Sequence, residues 1–322
     1  MVSIHRIDVA DDPSFDEFYD VYARSYTRDF DSPWIAVEKR TNLTDDVYGT
    51  HVALLARDDA GAAVAGGLAT MPLKDNTDFV FIDVFTPLEC RRQGFGTRML
   101  EALLEIGRSH GRRTAFVEPM WGVDHEGSPG RSFAEARGFE LDIVDAVREL
   151  TLPAELPPLE IDTGYTLQTW RGACPDDVVD QYADLRRILV EEAPSGDAGL
   201  ENEYWDAVRV RQDERDLARM GRQMQVTVAR TTRGELAGHT QLCFPNGADE
   251  AFQWDTLVRP EHRGHGLGLA LKIRTMQAAA DLLDGRRRIT TENAASNSHM
   301  IAVNELLGFR QTAWVGEYIR TI

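Results

Sequence analysis

The sequence predicts an α+β fold that occurs twice in tandem, each copy a mixed, mostly antiparallel sheet flanked by helices. A glycine loop stands between an apolar strand and an amphipathic helix once in each half, at residues 91–96 (RRQGFG) and 263–268 (RGHGLG). A Gly-Phe pair follows each loop at nearly the same distance, at 138–139 and 308–309. Two motifs that recur in the same order and at similar spacing indicate an internal repeat. A length of 322 residues is sufficient for two such domains.

Proline residues mark the predicted boundary between the two copies. Pro153, Pro157 and Pro158 interrupt regular structure, and acidic neighbours keep the segment solvated. The sequence therefore predicts an N-terminal domain at 1–152, a linker at 153–163 and a C-terminal domain at 164–322.

The hydrophobic periodicity of the second half predicts its elements one after another. Gly-containing turns separate the middle strands, at residues 233–234 and 245–247. The predicted elements are a strand at 165–170, helices at 176–192 and 202–221, strands at 225–230, 236–244 and 251–258, a helix at 268–283, a strand at 288–292, a helix at 296–307 and final strands from 309 onward.

The charge of the chain limits the classes of partner that it can bind. With 53 acidic and 35 basic residues, the formal net charge is −18. Sequence-independent binding to nucleic acid or to an anionic membrane needs dense positive charge, so neither partner is expected. Two interpretations stay open: an acidic surface that keeps the protein soluble, and an acidic field that attracts a cationic small molecule.

The cysteines and the N-terminus indicate a reducing compartment. Cys90, Cys174 and Cys243 are odd in number and far apart, which favours neither a disulfide framework nor a zinc ribbon. The first ten residues are not apolar enough for a signal peptide, and no apolar run approaches the roughly 18 residues of a membrane span. We therefore expect a cytoplasmic protein, and the predominance of arginine over lysine suggests a bacterial one.

The glycine loops have the chemistry of a diphosphate site. Glycine removes side-chain bulk at the start of a helix, so successive backbone N–H groups can converge on an anion at the positive end of the helix dipole. No glycine follows Gly268 at the position that a dinucleotide-binding loop requires, and no Gly-Lys-Ser/Thr follows either loop. A dinucleotide-binding loop and a P-loop are therefore both excluded.

At these residues the sequence resembles the GNAT superfamily of acyl-CoA-dependent acetyltransferases, whose signature is Arg/Gln-x-x-Gly-x-Gly/Ala. The run 291–300 also looks like a later motif of that family, in which an asparagine contacts the CoA arm, and Asn297 matches it. The corresponding segment of the first half, 118–136, has no asparagine. The resemblance implies a tandem arrangement similar to that of mycothiol synthase, with a catalytic second domain and a degenerate first one. The residues that match the signature are Arg91, Gly94 and Gly96, and Arg263, Gly266 and Gly268.

The resemblance implies acetyl-CoA, or another short acyl-CoA, as the cofactor. Backbone N–H groups at the end of the strand before the second loop would stabilise the developing oxyanion. The expected cofactor-binding residues are Leu257, Val258, Arg263, Gly264, His265, Gly266, Leu267, Gly268, Leu269 and Asn297 in the second half, and Arg91, Arg92, Gln93, Gly94, Phe95 and Gly96 in the first.

Two carboxylates are the candidate general bases for direct attack by an amine. Asp255 lies on the strand before the loop, and Glu292 ends the next strand. Strand alternation predicts that Gln253, Asp255 and Leu257 share one face. The tyrosine that many GNAT enzymes place four residues before the Gly-Phe pair is missing, since Asn304 and Ala134 occupy the two positions. Tyr318, Cys243, water or departure as a free thiolate are the open alternatives for the leaving group.

Basic residues gather around the second loop in this acidic chain, which suits an anionic cofactor. A glycine loop braces metal ligands poorly, so no metal is expected despite the two histidines. These basic residues are Arg259, His262, Arg263, His265 and Lys272.

These observations predict an acetyl-CoA-dependent N-acetyltransferase that acts on a primary amine of a small, cationic molecule. An amino-sugar thiol precursor and a protein or peptide amine are alternative acceptors. A catalytically inactive acyl-CoA-binding sensor or scaffold is the alternative from another class. The sequence does not select the acceptor or the oligomeric state.

Overall fold

A computed structural model of the chain describes residues 2–44, 46–124, 128–192 and 196–322. Contacts divide these residues into two compact units. Unit 1 contains the described residues up to Ile143, Gly196–Glu201 and Val315–Ile322, and unit 2 contains Val144 to residue 192 and Asn202–Trp314. A single cut at 153–163 does not describe this division, because residues 144–152 group with unit 2. The predicted domains 1–152 and 164–322, with their linker 153–163, therefore stay a prediction.

The elements of unit 1 form a mostly antiparallel sheet with one parallel pair. Strands β1 (Ser3–Arg6), β2 (Gly49–Arg57), β3 (Ala63–Pro72), β4 (Phe79–Phe85) and β5 (Thr114–Val117) lie side by side in that order, β4 and β5 are parallel, and Tyr318–Thr321 pair antiparallel with β5. In chain order the elements are β1, α1 (Asp12–Ser25), α2 (Ala36–Asn42), β2, β3, β4, α3 (Phe95–Ser109), β5, β6 (Met120–Gly122) and α4 (Pro129–Glu135).

Unit 2 repeats this order. Its sheet runs β8, β9, β10, β11, β12, β7, and the pair of β11 with β12 is again parallel. In chain order the elements are β7 (Glu140–Thr151), of which residues from Val144 belong to this unit, β8 (Tyr165–Arg171), α5 (Val179–Glu192), α6 (Ala207–Arg219), β9 (Gln223–Thr231), β10 (Leu236–Phe244), β11 (Glu250–Val258), α7 (Leu267–Ala278), α8 (Ala280–Leu283), β12 (Arg288–Ala294), α9 (Ser298–Leu306) and β13 (Arg310–Thr321), of which residues up to Trp314 belong to this unit. The predicted α+β class with mostly antiparallel sheets is confirmed.

The helix predicted at 268–283 is interrupted in the structure. Arg171 on β8 donates Nη2 to the carbonyl of Ala278 at 3.4 Å and pairs with Asp281 at 2.7 Å. The N–H of Leu282 bonds to the carbonyl of Ala279 at 2.9 Å instead of continuing the α-helical ladder to Ala278. The chain therefore forms α7 and then the short α8.

Apolar clusters on the two faces of the unit 2 sheet fix which way the strand side chains point. Leu257 packs with Tyr182 and Leu185 of α5 on one face. Leu242 and Ile289 pack with residues of α7 on the other face. We call these the α5 face and the α7 face. Within the described residues, no helix combines the length and the apolarity that crossing a membrane requires.

Candidate active site

The parallel strands of unit 2 pair only at their beginning. The register joins Glu250 to Arg288 and continues for three residue pairs, to Phe252 and Thr290. The last link is a side-chain bond, in which Thr291 Oγ1 donates to the carbonyl of Gln253 at 3.0 Å. Beyond this bond the two strands separate and leave a gap in the sheet with unpaired edges. The parallel pair of unit 1 has the same three-pair register, from Phe79–Thr114 to Phe81–Phe116.

A β-bulge in β11 lies beside this gap. Gln241 of β10 stands opposite both Trp254 and Asp255, because the register shifts between Thr240 and Leu242. The amide of Gln253 stabilises the bulge by donating to Thr240 Oγ1 at 2.9 Å and to the Gln241 carbonyl at 2.7 Å.

The bulge changes the alternation of side chains along β11. Asp255 and Leu257 lie on the α5 face, whereas Gln253 pairs with Leu242 and lies on the α7 face. The prediction that Gln253, Asp255 and Leu257 share a face is therefore wrong, because the extra residue of a bulge shifts the two-residue period.

The ladder between β10 and β11 decides which backbone N–H groups reach the gap. The N–H of Arg259 bonds to the carbonyl of Ala237 at 2.9 Å, which makes Val258 and Gly238 a non-hydrogen-bonded pair. The N–H groups of Val258 and, two residues earlier, Thr256 consequently point toward the gap. The N–H of Leu257 points toward β10, so the structure contradicts its predicted role as a backbone donor.

The second glycine loop leaves open space at the start of α7. Gly264 and Gly266 have φ angles of +85° and +70°, and Gly266 caps the helix. A Cβ added to Gly264, Gly266 or Gly268 would meet no atom within 4 Å. Gly268 has no positive φ and no crowding neighbour, so neither its backbone nor its packing requires glycine. This cradle, with the free N–H groups of the helix terminus around it, fits the diphosphate of an acyl-CoA.

The signature arginines hold the loops in position. Arg263 Nε donates to the Val258 carbonyl at 3.2 Å, and Arg91 Nε donates to the Thr86 carbonyl at 2.8 Å. The backbone angles at both arginines are the same, φ −72° and ψ 161°. Each arginine therefore ties its loop to the end of the preceding strand.

Other members of the predicted basic cluster make contacts of their own. His265 Nδ1 lies 2.9 Å from Asp162, whose pKa is lowered by the N–H of Gly164 and by His265. His262 Nδ1 lies 3.0 Å from the Tyr165 hydroxyl. Lys272 is buried within unit 2, so it does not contribute to the charged rim that we predicted.

The remaining predicted residues of the second half are Leu267, Leu269 and Asn297, and each of their side chains makes a contact within unit 2. The side chain of Leu267 is buried against Leu271, and Leu269 packs against the cluster on the α7 face. Asn297 caps α9, since its Oδ1 accepts from the N–H of Met300 at 3.1 Å. Its contact with the CoA arm stays a prediction.

The glycine loop of unit 1 has a similar backbone and is open at Gly94, but side chains lie close to Gly96. A Cβ on Gly96 would lie 3.5 Å from the ring of Phe133 and from Thr86 Oγ1. The guanidinium of Arg137 stacks on that ring at 3.8 Å. The other four predicted residues belong to the backbone of this loop and the start of its helix. Arg92 has φ +64°, and Gln93 donates to the Glu89 carbonyl at 3.3 Å. Gly94 caps α3, and Phe95 is its first residue.

Asp255, the first candidate base, neutralises a buried arginine. Arg186 lies 3.3 Å from Asp255 and 2.6 Å from Asp213, and it stacks on Trp205 at 3.6 Å. Burial opposes the charge of Arg186, but the two carboxylates outweigh burial and raise its pKa. A carboxylate held in this ion pair is poorly placed to take a proton from a substrate.

Glu292, the second candidate base, has the properties that general-base chemistry needs. Solvent reaches its side chain, yet the surrounding protein removes enough hydration to raise its pKa, and the carboxylate of Asp145 raises it further. Burial also raises the pKa of Asp145. Glu292 lies on the α5 face, because Ile289 of the same strand packs on the α7 face. The structure therefore favours Glu292 over Asp255 as a proton acceptor.

Sequence reasoning missed Arg186, Asp145 and the burial of Lys272. Only Lys272 left a signal, since it stands on the apolar stripe of α7 together with Thr275 and Met276.

Comparison with known proteins identifies the family. The model of the acetyltransferase (GNAT) family matches residues 15–139 and 182–309. The chain therefore belongs to the GNAT family, as the resemblance predicted, and it is an N-acetyltransferase by class. Members of this family generally use acetyl-CoA as the acyl donor.

Solved structures show the same fold. A tandem GNAT protein from the clavulanic acid biosynthesis pathway, solved without AcCoA, is 24% identical over 100% of this chain and 98% of its own, with a TM-score of 0.82. A GCN5-related N-acetyltransferase from Sphaerobacter thermophilus is 17% identical over 99% and 95%, with a TM-score of 0.68. A glucosamine N-acetyltransferase region of a fungal multi-domain enzyme is 13% identical over 98% of this chain and 38% of that one, with a TM-score of 0.70. No curated protein matches the chain significantly.

Proposed function

We propose that unit 2 binds acetyl-CoA and transfers the acetyl group directly to a primary amine of a small, cationic molecule. The observation that carries this proposal is the open cradle at Gly264, Gly266 and Gly268, which follows directly after the strand that borders the gap. Gly268 supports the proposal most, because neither its backbone angles nor its neighbours require glycine, whereas a bound group that approaches the backbone closely would.

Backbone groups of β11 would activate the acyl group. Acetyl-CoA supplies a thioester carbonyl, and attack by an amine places negative charge on its oxygen. The N–H groups of Val258 and Thr256 point into the gap and would donate hydrogen bonds to that oxygen. Their position on a strand held by the Gln253 amide keeps these donors fixed before the reaction begins.

Glu292 would take the proton that the attacking amine releases. Its raised pKa brings its proton affinity closer to the operating pH, and solvent access leaves room for an amine or a bridging water. We therefore propose Glu292 as the general base and retain Asp255 as a residue that shapes the α5 face through Arg186.

The charge around Glu292 supports a cationic acceptor. Asp145 lies beside it, and the nearby Arg186 is already paired with two carboxylates, Asp255 and Asp213. The whole chain carries −18, so the field at the α5 face attracts cations.

The two glycine loops support different roles for the two units. A Cβ on Gly96 would contact Phe133 and Thr86 at 3.5 Å, whereas a Cβ on Gly268 would meet no atom within 4 Å. We therefore propose acyl-CoA binding at unit 2 and a structural loop in unit 1. None of the three cysteines forms a disulfide, which supports our proposal of a reducing, cytoplasmic setting.

A free-thiol assay on a panel of amines tests the proposed reaction. We expect amine-dependent release of CoA, and a loss of about 10²-fold or more in kcat for Glu292→Gln. The matched control is Glu235→Gln, which changes an exposed glutamate in the turn before β10. Binding of acetyl-CoA, seen as a rise in Tm, without release on any amine contradicts the transfer and favours a sensor. No rise in Tm contradicts the cofactor itself.

A further inference from the structure

A buried lysine lies on the α7 face of unit 2. Lys272 is 1% exposed, and its Nζ donates to Asn304 Oδ1 at 2.7 Å. No carboxylate pairs with it within the part of the chain that the structure describes. Burial lowers its pKa to about 7. Burial of an ammonium group without a counter-ion costs free energy. We therefore ask what the hydrogen bonds of Lys272 contribute to function.

The lysine begins a line of hydrogen bonds toward the gap. Asn304 is fully buried, and its Nδ2 donates to Asn293 Oδ1 at 2.6 Å. Asn293 lies on β12 and is partly exposed. The three side chains therefore connect the interior of α7 to the surface of β12.

The lysine dictates the direction of every bond in this line. Because Lys272 Nζ donates to Asn304 Oδ1, Asn304 presents its oxygen to Lys272 and its nitrogen to Asn293. Asn293 must then accept with its own oxygen. The two N–H bonds of Asn293 Nδ2 are consequently turned away from Asn304, and each hydrogen bond in the line polarises the next one.

Asn293 borders the gap on the face opposite to the proposed base. Thr291 makes the last link between β11 and β12, and Asn293 is the next residue of β12 on the same α7 face. Glu292, between them in sequence, lies on the α5 face. The gap thus has an acidic group on one face and a fixed N–H donor on the other.

We propose that Asn293 Nδ2 donates a hydrogen bond to the sulfur of the departing thiolate, and that Lys272 acts through Asn304 as a positioning residue. This inference rests on the proposed function. In the step, the amine nitrogen bonds to the carbonyl carbon, the C–S bond breaks and its electron pair stays on sulfur. The proton of the amine goes to Glu292, and the thiolate takes its own proton from water after it leaves.

Titration of CoA bound to the protein tests the proposal without catalysis. The near-ultraviolet absorbance of the thiolate reports its protonation as the pH is raised. A donor aimed at the sulfur stabilises the thiolate, so at a given pH below the thiol pKa bound CoA should contain about tenfold more thiolate than free CoA.

Variants separate a positioning role from a merely structural one. Asn293→Asp keeps an oxygen for Asn304 but replaces the outward N–H group with a carboxylate oxygen, so bound CoA should contain less thiolate than free CoA. Lys272→Met removes the donor that orients the line and should bring the titration back toward that of free CoA. Lys74→Met, an exposed lysine, is the matched control and should titrate as the unmodified protein does.

Each outcome has one meaning. Bound CoA that titrates like free CoA in the unmodified protein overturns the inference, as does an unchanged titration in Asn293→Asp. If Lys272→Met does not fold, Asn293→Asp, which changes a partly exposed residue at the gap, decides the question alone. A protein that does not bind CoA overturns the proposed function instead, which the Tm measurement shows separately.

Discussion

Glu292 and Asp145 lie diagonally across the antiparallel pair of β12 and β7. The register places Glu292 opposite Val147 and Asp145 opposite Ala294, so both carboxylates share one face of the sheet. The negative charge of Asp145 makes ionisation of Glu292 harder, which adds to the effect of burial. A neighbour of like charge is one of the means by which a protein raises the pKa of a general base.

Removal of the Asp145 charge should lower the pKa of Glu292. The base acts when it is deprotonated, so Asp145→Asn should shift the acid limb of the kcat/KM profile to lower pH and leave the plateau unchanged. The measurement is the pH dependence of CoA release with acetyl-CoA and an active amine. Asp249→Asn, which removes an exposed partner of Arg287, is the control and should leave the limb in place. An unchanged limb in Asp145→Asn contradicts the assignment of Glu292.

The sequence alone could not predict that Asp145 lies beside Glu292. Asp145 precedes the proline-rich linker and is assigned by sequence to the first copy, yet residues from Val144 onward group with unit 2. Strand pairing between segments far apart in sequence leaves no local pattern. The bulge at Trp254 and Asp255 was missed for a related reason, since it depends on the register between β10 and β11 rather than on the composition of either strand.

The glycine loops, by contrast, were predictable because their requirements are local. A positive φ at Gly264 and Gly266 favours glycine at those positions directly, whatever the rest of the fold does. Lys272 shows the limit of such reasoning, because a lysine near a basic loop was assigned to the surface although its helical position faces the interior.

Substitution of Gly268 should separate stability from cofactor binding. Gly268→Leu places a side chain in space where a Cβ meets nothing, so Tm should stay within a few degrees, while the rise in Tm with acetyl-CoA should disappear. Gly96→Leu is the matched change in unit 1, and there the side chain meets Phe133 and Thr86. We expect Gly96→Leu to lose about 1 to 3 kcal/mol of unfolding free energy through overpacking. A Gly268→Leu protein that still gains Tm with acetyl-CoA contradicts the cradle.

Asp255 should matter more for stability than for catalysis. Asp255→Asn leaves the buried guanidinium of Arg186 with Asp213 as its carboxylate partner, which we expect to reduce the unfolding free energy by about 1 to 3 kcal/mol. Its kcat should fall by less than about tenfold, against the 10²-fold or greater loss expected for Glu292→Gln. Urea unfolding and the free-thiol assay measure the two effects. The reverse ranking in kcat identifies Asp255 as the base.

His239 should make the stability of the protein depend on pH in the acid range. It is fully buried, and neither ring nitrogen has a hydrogen-bond partner within the described residues. Burial, with a smaller effect of the nearby Arg186, lowers its pKa to about 3, whereas an unfolded chain has an ordinary histidine with a pKa near 6.5. At pH values between these two pKa values, His239 binds a proton in the unfolded state but not in the folded state. The contribution of His239 is therefore complete above about pH 6.5 and is lost as the pH falls, by about 1.4 kcal/mol per pH unit.

Replacement of the imidazole should remove that part of the pH dependence. His239→Phe keeps a ring beside Tyr182, whose centroid lies 5.4 Å from that of His239, but has no nitrogen to protonate. Unfolding in urea at a series of pH values from 7 to 4 should give a shallower decline for His239→Phe than for the unmodified protein. His5→Phe, at an exposed histidine of β1, should leave the decline unchanged. Equal slopes for His239→Phe and the unmodified protein would show that the folded state accepts the proton at His239 after all.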